Sequence, residues 1–170
     1  MKRLFITADI HGNISTWLTV RALLNPKDGL VIAGDLFDTR YGSYFHPDFR
    51  PEDIRRDIPS LESRLYYVYG NCDSPSFFPG HDHHLEFQSL DKKIFLHHGH
   101  ARPVLPRDSE IIIQGHTHYP DLKKRKGRIF LNPGSISSPR NHAPTYAVMD
   151  EEGIRIQELK TGKEVASCRF

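Results

Sequence analysis

The sequence predicts an α/β (α+β) protein in which two packed β-sheets are flanked by helices, and three observations carry that reading. Helical periodicity is confined to the first half of the chain, while the second half is a succession of strand candidates separated by turns. The apolar runs beginning at Leu4, Gly29 and Leu65 are continuous rather than alternating, as in strands of a sheet covered on both faces. Five apolar runs also end in the same manner, with a glycine beside an oxygen- or nitrogen-bearing side chain.

The first strand and its turn run from Leu4 to Asn13. Residues i and i+2 of an extended chain point the same way, so Asp9 and His11 can reach one ion together, while Gly12 lets the backbone turn and Asn13 or Ser15 caps a helix. Ser15 to Leu24 places Trp17, Leu18, Val20, Leu23 and Leu24 at helical spacing, and Pro26 ends that helix. Gly29 to Asp35 is a second buried strand. Leu36 to Phe49 lacks periodicity and reads as a long ordered loop, of the kind often tied to function. Pro51-Glu52-Asp53 opens a helix reaching Ile58, with acids at its positive end. Leu65 to Tyr69 is the third strand, ending in Gly70-Asn71-Cys72-Asp73. Leu85 to Leu90 and Lys93 to His97 form a hairpin across Asp91-Lys92, running into His98-Gly99-His100. A Pro-interrupted connector, Ala101 to Ser109, leads to a strand from Glu110 to Gln114 and then to Gly115-His116-Thr117-His118. Strands near Leu122 to Arg125 and Arg128 to Leu131 precede the turn Asn132-Pro133-Gly134-Ser135, and Thr145 to Met149, Ile154 to Leu159 and Glu164 to Cys168 complete the set.

No repeat, low-complexity stretch or linker interrupts the 170 residues, which read as one domain over 1–170 with room for a sizeable core. A net charge of +2 gives no bulk attraction for nucleic acid or an anionic membrane, and the run Lys123 to Arg128 reads as a solvated hairpin tip. Two cysteines, Cys72 and Cys168, cannot form a disulfide framework and suit a reducing compartment. The short apolar run after Lys2-Arg3 is broken by Asp9, so neither a signal peptide nor a membrane span is expected, and the protein is expected to be cytoplasmic. Eleven histidines call for an explanation.

Asp9, His11, Asp35, Asn71, His98, His116 and His118 are seven oxygen and nitrogen donors at strand-to-loop junctions, where α/β folds place their sites. A structural zinc site uses four ligands rich in thiolate. Seven donors suit two ions roughly 3.5–4 Å apart with one shared carboxylate and open positions for water and substrate. Asp35 is the candidate bridge.

The set resembles the calcineurin-like metallophosphoesterase superfamily, with its Asp-x-His, Gly-Asp, Gly-Asn, His and Gly-His-x-His blocks in order across nearly the whole chain. It is most similar to the YfcE-like bacterial phosphodiesterase group, through Gly70 to Ser74, His98 to His100, Gly115 to Pro120, Asn132 to Ser137 and Pro139-Arg140. The resemblance implies a four-layer αββα sandwich and a metal-dependent phosphodiesterase. It implies that Asp9, His11, Asp35 and His118 hold one metal, that Asp35, Asn71, His98 and His116 hold the other, and that Mn²⁺ supports activity, although the donors also admit Fe, Zn, Co or Ni. Two such ions activate a water for direct attack on phosphorus. The expected substrate is a small phosphodiester. Neither a nucleic-acid patch nor a membrane is an expected partner, and self-association is left open.

Asp35, Asn71, Asp73 and His98 are therefore the candidate catalytic groups, with Asp73 expected to orient a ligand or substrate group from outside the metal shell. Asn13, Arg40, Cys72 and His100 are candidate substrate contacts, with Arg140 as a further phosphate contact. Cys72 stands where many superfamily members have histidine; a thiol is a weak donor, and a small buried spacer is the simpler reading. Weak protonation of the leaving group predicts activity on activated diesters and little on ordinary monoesters. His100 lies two positions from His98, placed either to contact substrate or to pack at the rim. His97 and the His81 to His84 cluster are read as solvated histidines rather than a further metal site. Asp38 to Gly42 replaces the His-Gly-Pro-Arg segment usual in the family. The competing reading is a non-catalytic scaffold like the related retromer subunit, which has eroded ligands; here the seven are intact.

Overall fold

The computed structural model describes residues 3–41 and 46–170. β1 (Leu4–Thr7), β2 (Gly29–Ile32) and β3 (Arg64–Tyr67) are parallel, with Leu4 beside Gly29 and Gly29 beside Arg64. Three antiparallel strands extend that sheet beyond β1: β9 (Thr145–Met149), β10 (Gly153–Glu158) and β11 (Glu164–Arg169), giving the order β11-β10-β9-β1-β2-β3. The second sheet has the order β4-β5-β6-β8-β7, from β4 (His84–Ser89), β5 (Lys92–His97), β6 (Ile111–Ile113), β7 (Pro120–Arg125) and β8 (Arg128–Pro133). Its central strands β5, β6 and β8 are parallel, and each edge is closed by a hairpin. Two mixed sheets of the α/β class are what the sequence predicts.

The sheets meet through one apolar layer, with Leu4, Ile6, Val31 and Ile156 from the first packed against Ile94, Leu96, Ile113 and Leu131 from the second. Burial of a side chain of this size contributes about 1.5–3 kcal/mol, which holds the two sets of strand ends in fixed register. On the far side of the six-stranded sheet, α1 (Ile14–Leu23) and α2 (Pro51–Asp57) cover Phe5, Leu30 and Ile32 with Trp17, Val20 and Ile54. A 3₁₀ turn, Ile58–Ser60, follows α2. Among the described residues no helix lies over the opposite sheet. Its outer face, bearing the buried Phe95 and Ile112, is flanked instead by the 99–109 connector, where Pro103 and Pro106 each remove a backbone donor and disfavour a helix. Arg128 fastens that connector by donating from Nε to Ser109 O and from Nη2 to Pro106 O.

Boundaries shift locally. The β4–β5 turn is Leu90-Asp91, one residue earlier than expected, because a two-residue loop with both φ values positive (50° and 57°) matches the strand twist. Asn13 caps α1, accepting from Thr16 N at 2.8 Å, so Ser15 does not. Of the long loop after Leu36, residues 42–45 lie outside the described residues; Asp48 and Arg50 pin its far end to Ile14 and Gly12 through backbone hydrogen bonds. The Lys123 to Lys126 stretch is exposed at the β7–β8 hairpin, as expected.

Candidate metal centre

The seven nominated donors all leave the C-terminal ends of parallel strands. Asp9 and His11 follow β1, Asp35 follows β2 and Asn71 follows β3, while His98 follows β5 and His116 and His118 follow β6. Asp9, His11, Asp35, His116 and His118 have φ between 51° and 70°, a region costly for residues with a Cβ. Each turns abruptly out of its strand, so the side chain faces the seam between the sheets rather than continuing the ladder. Such strain at several neighbouring positions is a mark of a functional site.

Of three clusters of ligand-type atoms, each within 4.8 Å, two are made of nominated metal donors alone: Asp9, His11 and His118 in one, Asp9, Asp35 and His98 in the other. Asp9 is common to both, whereas Asp35, the bridge nominated from sequence, belongs to one; the two carboxylates form the seam between the positions. His98 Nε2 lies 3.1 Å from Asp35 Oδ2 and 3.2 Å from Asn71 Oδ1, which brings Asn71 to the second cluster. His11 Nε2 and His118 Nε2 are 3.4 Å apart, and His118 Nε2 is 3.3 Å from Asp9 Oδ1. The His116 ring stands 5.1 Å from that of His98, and its backbone N–H donates to Asp9 Oδ2. Burial opposes charge on Asp35, yet its hydrogen bond and attraction to His98 outweigh this and take the carboxyl down to about 2. Burial likewise opposes charge on His98, but Asp35 reverses the balance and raises the imidazole above its usual value.

The outer contacts fix which nitrogen each histidine presents. His98 Nδ1 donates to Ala33 O at 2.7 Å and His118 Nδ1 to Ser138 O at 2.6 Å, while His11 Nδ1 pairs with Asp38 Oδ2 at 3.0 Å. All three therefore turn Nε2 toward the carboxylates, the arrangement of metal-ligating histidines with their outer partners. Asp38 was not nominated; it is 3% exposed, three residues beyond Asp35, and nothing in its local sequence distinguishes it from a turn aspartate. The role of the Asn132 to Ser138 turn was equally hidden: Ser135 and Ser137 hydroxyls donate to Asp9 O, and Asn132 Nδ2 donates to Gly115 O.

Asp73 meets neither cluster. Its carboxylate accepts from Leu36 N, Phe37 N, Gly70 N and the Tyr67 hydroxyl at 2.7–3.2 Å, tying the loop that carries Asp35 to the one that carries Asn71. It is thus a positioning residue: of the two expected roles, orienting a ligand or a substrate group, its contacts match the first, exerted through the backbone that carries Asp35. Cys72 is half-buried, with its thiol grouped with His11 and Asp38, so it borders the site instead of packing as a spacer. Burial, then the Asp35 and Asp38 carboxylates, push that thiol well above its usual range.

Around this centre, Arg40 is exposed and donates to Asn71 O, Arg140 is exposed with its N–H on His118 O, and Asn13 has its carbonyl oxygen committed to the α1 cap. A cavity of about 410 Å³ opens beside His11 and His118, lined also by Asn13, Asp38 and Phe49. His100 is exposed at the rim, its ring 5.5 Å from His98 and 6.3 Å from His116. His83 and His84 are exposed, as expected, but His81 stacks on Phe78 and His97 is buried. Burial, and then His98, His100 and His84, push the His97 imidazole down to about 4.

Comparison with known proteins gives a consistent result. Residues 1–153 match the model of the calcineurin-like phosphoesterase superfamily domain. Phosphodiesterase YfcE of Escherichia coli K12 is 28% identical over an alignment covering 98% of this chain and 97% of that protein. A probable metallophosphoesterase of Mycoplasma pneumoniae is 27% identical, with 94% and 96% covered. Among solved structures, the Escherichia coli phosphoesterase Yfce superposes with a TM-score of 0.84 at 24% identity over 98% of both chains. Vacuolar Protein Sorting 29 of Cryptosporidium parvum shares the fold, with a TM-score of 0.68 at 18% identity, 99% of this chain and 97% of that one being covered.

Proposed function

This chain belongs to the calcineurin-like phosphoesterase superfamily, and from that premise we propose that it hydrolyses phosphodiesters with two divalent cations held between Asp9 and Asp35. One observation carries the reading. Asp9 Oδ1 is buried and, with His118 Nδ1 committed to Ser138 O and His118 Nε2 3.3 Å away, receives no hydrogen bond among the described residues, while three imidazoles with fixed Nδ1 partners turn their Nε2 atoms toward the two carboxylates. An anionic oxygen left bare at 0% residue exposure is costly unless a cation meets it, so the donors fit a metal. Asp9, His11 and His118 would hold one ion; Asp35, Asn71, His98 and His116 would hold the second. When bound, such a pair supplies Lewis acidity and a water made acidic enough to attack at neutral pH.

The remaining groups are the chain's own. Arg40 and Arg140, with no ion pair among the described residues, are placed to meet non-bridging phosphate oxygens. Asp38 holds His11 in one tautomer and Asp73 holds the Asp35 loop still. Cys72 keeps its proton, so it is a poor acid for an alkoxide leaving group, and esters whose leaving group departs unprotonated are favoured. The homologous phosphodiesterase YfcE supports the diester class. The fold is shared with Vacuolar Protein Sorting 29, so it is the donor set and not the architecture that supports the hydrolase reading.

The test is turnover of bis(p-nitrophenyl) phosphate and p-nitrophenyl phosphate by protein stripped with chelator and reloaded with Mn²⁺. The diester should be hydrolysed faster, and Asp9→Asn and His98→Ala should each lose more than the roughly 10–100-fold typical of outer-shell changes. Equal rates on both esters would reject the diester preference. Turnover insensitive to chelator, or no turnover with Mn²⁺, Zn²⁺, Co²⁺, Ni²⁺ or Fe²⁺, would reject the metal-dependent hydrolase.

A further inference from the structure

We propose that the cleft over the outer face of the five-stranded sheet is a subsite for one arm of the diester, and that it takes an aromatic, nucleobase-sized group. The inference rests on the phosphodiesterase reading and adds to it a substrate class. Side chains alternate along β5, so Ile94 and Leu96 enter the core while Phe95 and His97 face outward, and His84 lies opposite His97 in the β4–β5 register. Where the helix-free connector passes over that face, it leaves a cavity of about 390 Å³, within the roughly 300–1,000 Å³ of small-molecule sites. The cavity abuts the metal centre, because the candidate ligand His98 and His100, with ring centres 5.5 Å apart, are among its lining residues.

Its walls suit a flat ring. The His84 and His97 rings lie 5.7 and 5.6 Å from Phe95, Pro103 borders the connector side with Val104 on its rim, and the His100 ring stands between the ligand cluster and His83. Aromatic faces of this kind bind bases by stacking and tolerate different ones, because every base presents a π surface. A separate observation points to a ligand. His97 is 7% exposed and lines the cavity, and its buried Nδ1 has no hydrogen-bond partner among the described residues, an unmet polar demand in the cleft wall that a bound group reached by a turn of the ring would satisfy. Arg102, exposed on the rim and without an ion pair among the described residues, can add a guanidinium to a ring face or to an anionic substituent. The walls offer little to a methyl or ethyl arm, so the ratio of turnover between large aromatic and small alkyl diesters should report the cleft directly.

The experiment compares kcat/KM for thymidine 5′-p-nitrophenyl phosphate and methyl p-nitrophenyl phosphate in the Mn²⁺-loaded protein. Val104, 94% exposed on the rim, is replaced in Val104→Trp to fill the cleft, and His84→Ala removes a wall from an exposed strand position. Val165→Trp, on the edge strand β11, is the control. The thymidine-to-methyl ratio should favour thymidine in the wild type and fall about tenfold or more in Val104→Trp, as expected for the loss of base stacking. His84→Ala should lower it in the same direction, and Val165→Trp should leave it unchanged. Calorimetric binding of thymidine 5′-monophosphate should weaken with the same ranking, which tests the cleft even if neither diester is turned over. A ratio and a binding constant unmoved by both cleft variants would overturn the subsite while leaving the hydrolase reading intact. Failure to hydrolyse either diester, with nucleotide binding still sensitive to Val104→Trp, would overturn the hydrolase reading and keep the cleft.

Discussion

At the scale of single residues, the centre depends on positions where a side chain has no room to exist. A Cβ at Gly70 would collide with the Asp35 carboxylate, whereas one at Gly127, in the β7–β8 turn, would meet nothing within 4 Å. Gly127→Ala therefore incurs only the backbone strain of φ +76°, about 1–2 kcal/mol. Gly70→Ala must also displace Asp35, and it should abolish measurable Mn²⁺ binding in calorimetric titration while Gly127→Ala binds as the wild type does. Similar Mn²⁺ affinities in the two variants would remove Asp35 from the metal shell. Asp38 and Asp73 teach the complementary lesson. Both are buried; Asp38 bonds the His11 imidazole directly and Asp73 acts on Asp35 through the loop backbone, and of the two only Asp73, in its Gly-Asn-Cys-Asp block, is marked by its neighbours in sequence.

At the scale of elements, α1 is joined to α2 by a polar contact on the flank away from the metal. Trp17 Nε1 donates to Asp57 Oδ2 at 2.6 Å, and Arg21 meets the same oxygen. Partial burial would raise the Asp57 carboxyl, but these hydrogen bonds outweigh it and hold the group below its ordinary 3.8. Because the folded value lies below the unfolded one, Asp57 contributes its full stabilisation above the unfolded value, and the contribution disappears as pH falls through the folded value. Urea midpoints of wild type and Asp57→Asn should thus differ at pH 7, by on the order of 1–2 kcal/mol in stability. The gap should narrow as pH falls below the ordinary carboxyl value of 3.8 and through the lower folded one. A gap constant across that range would mean that the contact contributes through packing alone. The same helix shows how an element commits a side chain: Asn13, nominated for substrate, spends its carbonyl oxygen on the α1 cap and has only its amide N–H groups left to offer.

At the scale of the whole molecule, two sheets converge their strand ends on one seam, where Asp9 and Asp35 lie buried side by side. Loading with Mn²⁺ at about a hundred times its dissociation constant should stabilise the protein by about 2.7 kcal/mol, seen as a rise in melting temperature that chelator reverses. Asp9→Asn should lose most of that rise. An unchanged shift in this variant would mean that metal binds elsewhere. Both the sheet count and the strand-exit positions of the candidate donors were legible in the chain, because a buried strand needs a continuous apolar run and its exit needs a glycine or a polar group, and both requirements are local. The exit residues Asp9, His11, Asp35, Asn71, His98, His116 and His118 could be picked out one strand at a time. Distances between strands far apart in sequence are not local, and packing alone settled them. Only the folded chain set Asp9 and Asp35 side by side with His98, brought the Cys72 thiol to His11, set Asp38 behind that imidazole, and opened a cleft beside His97 where a proline-broken connector took the place of a helix.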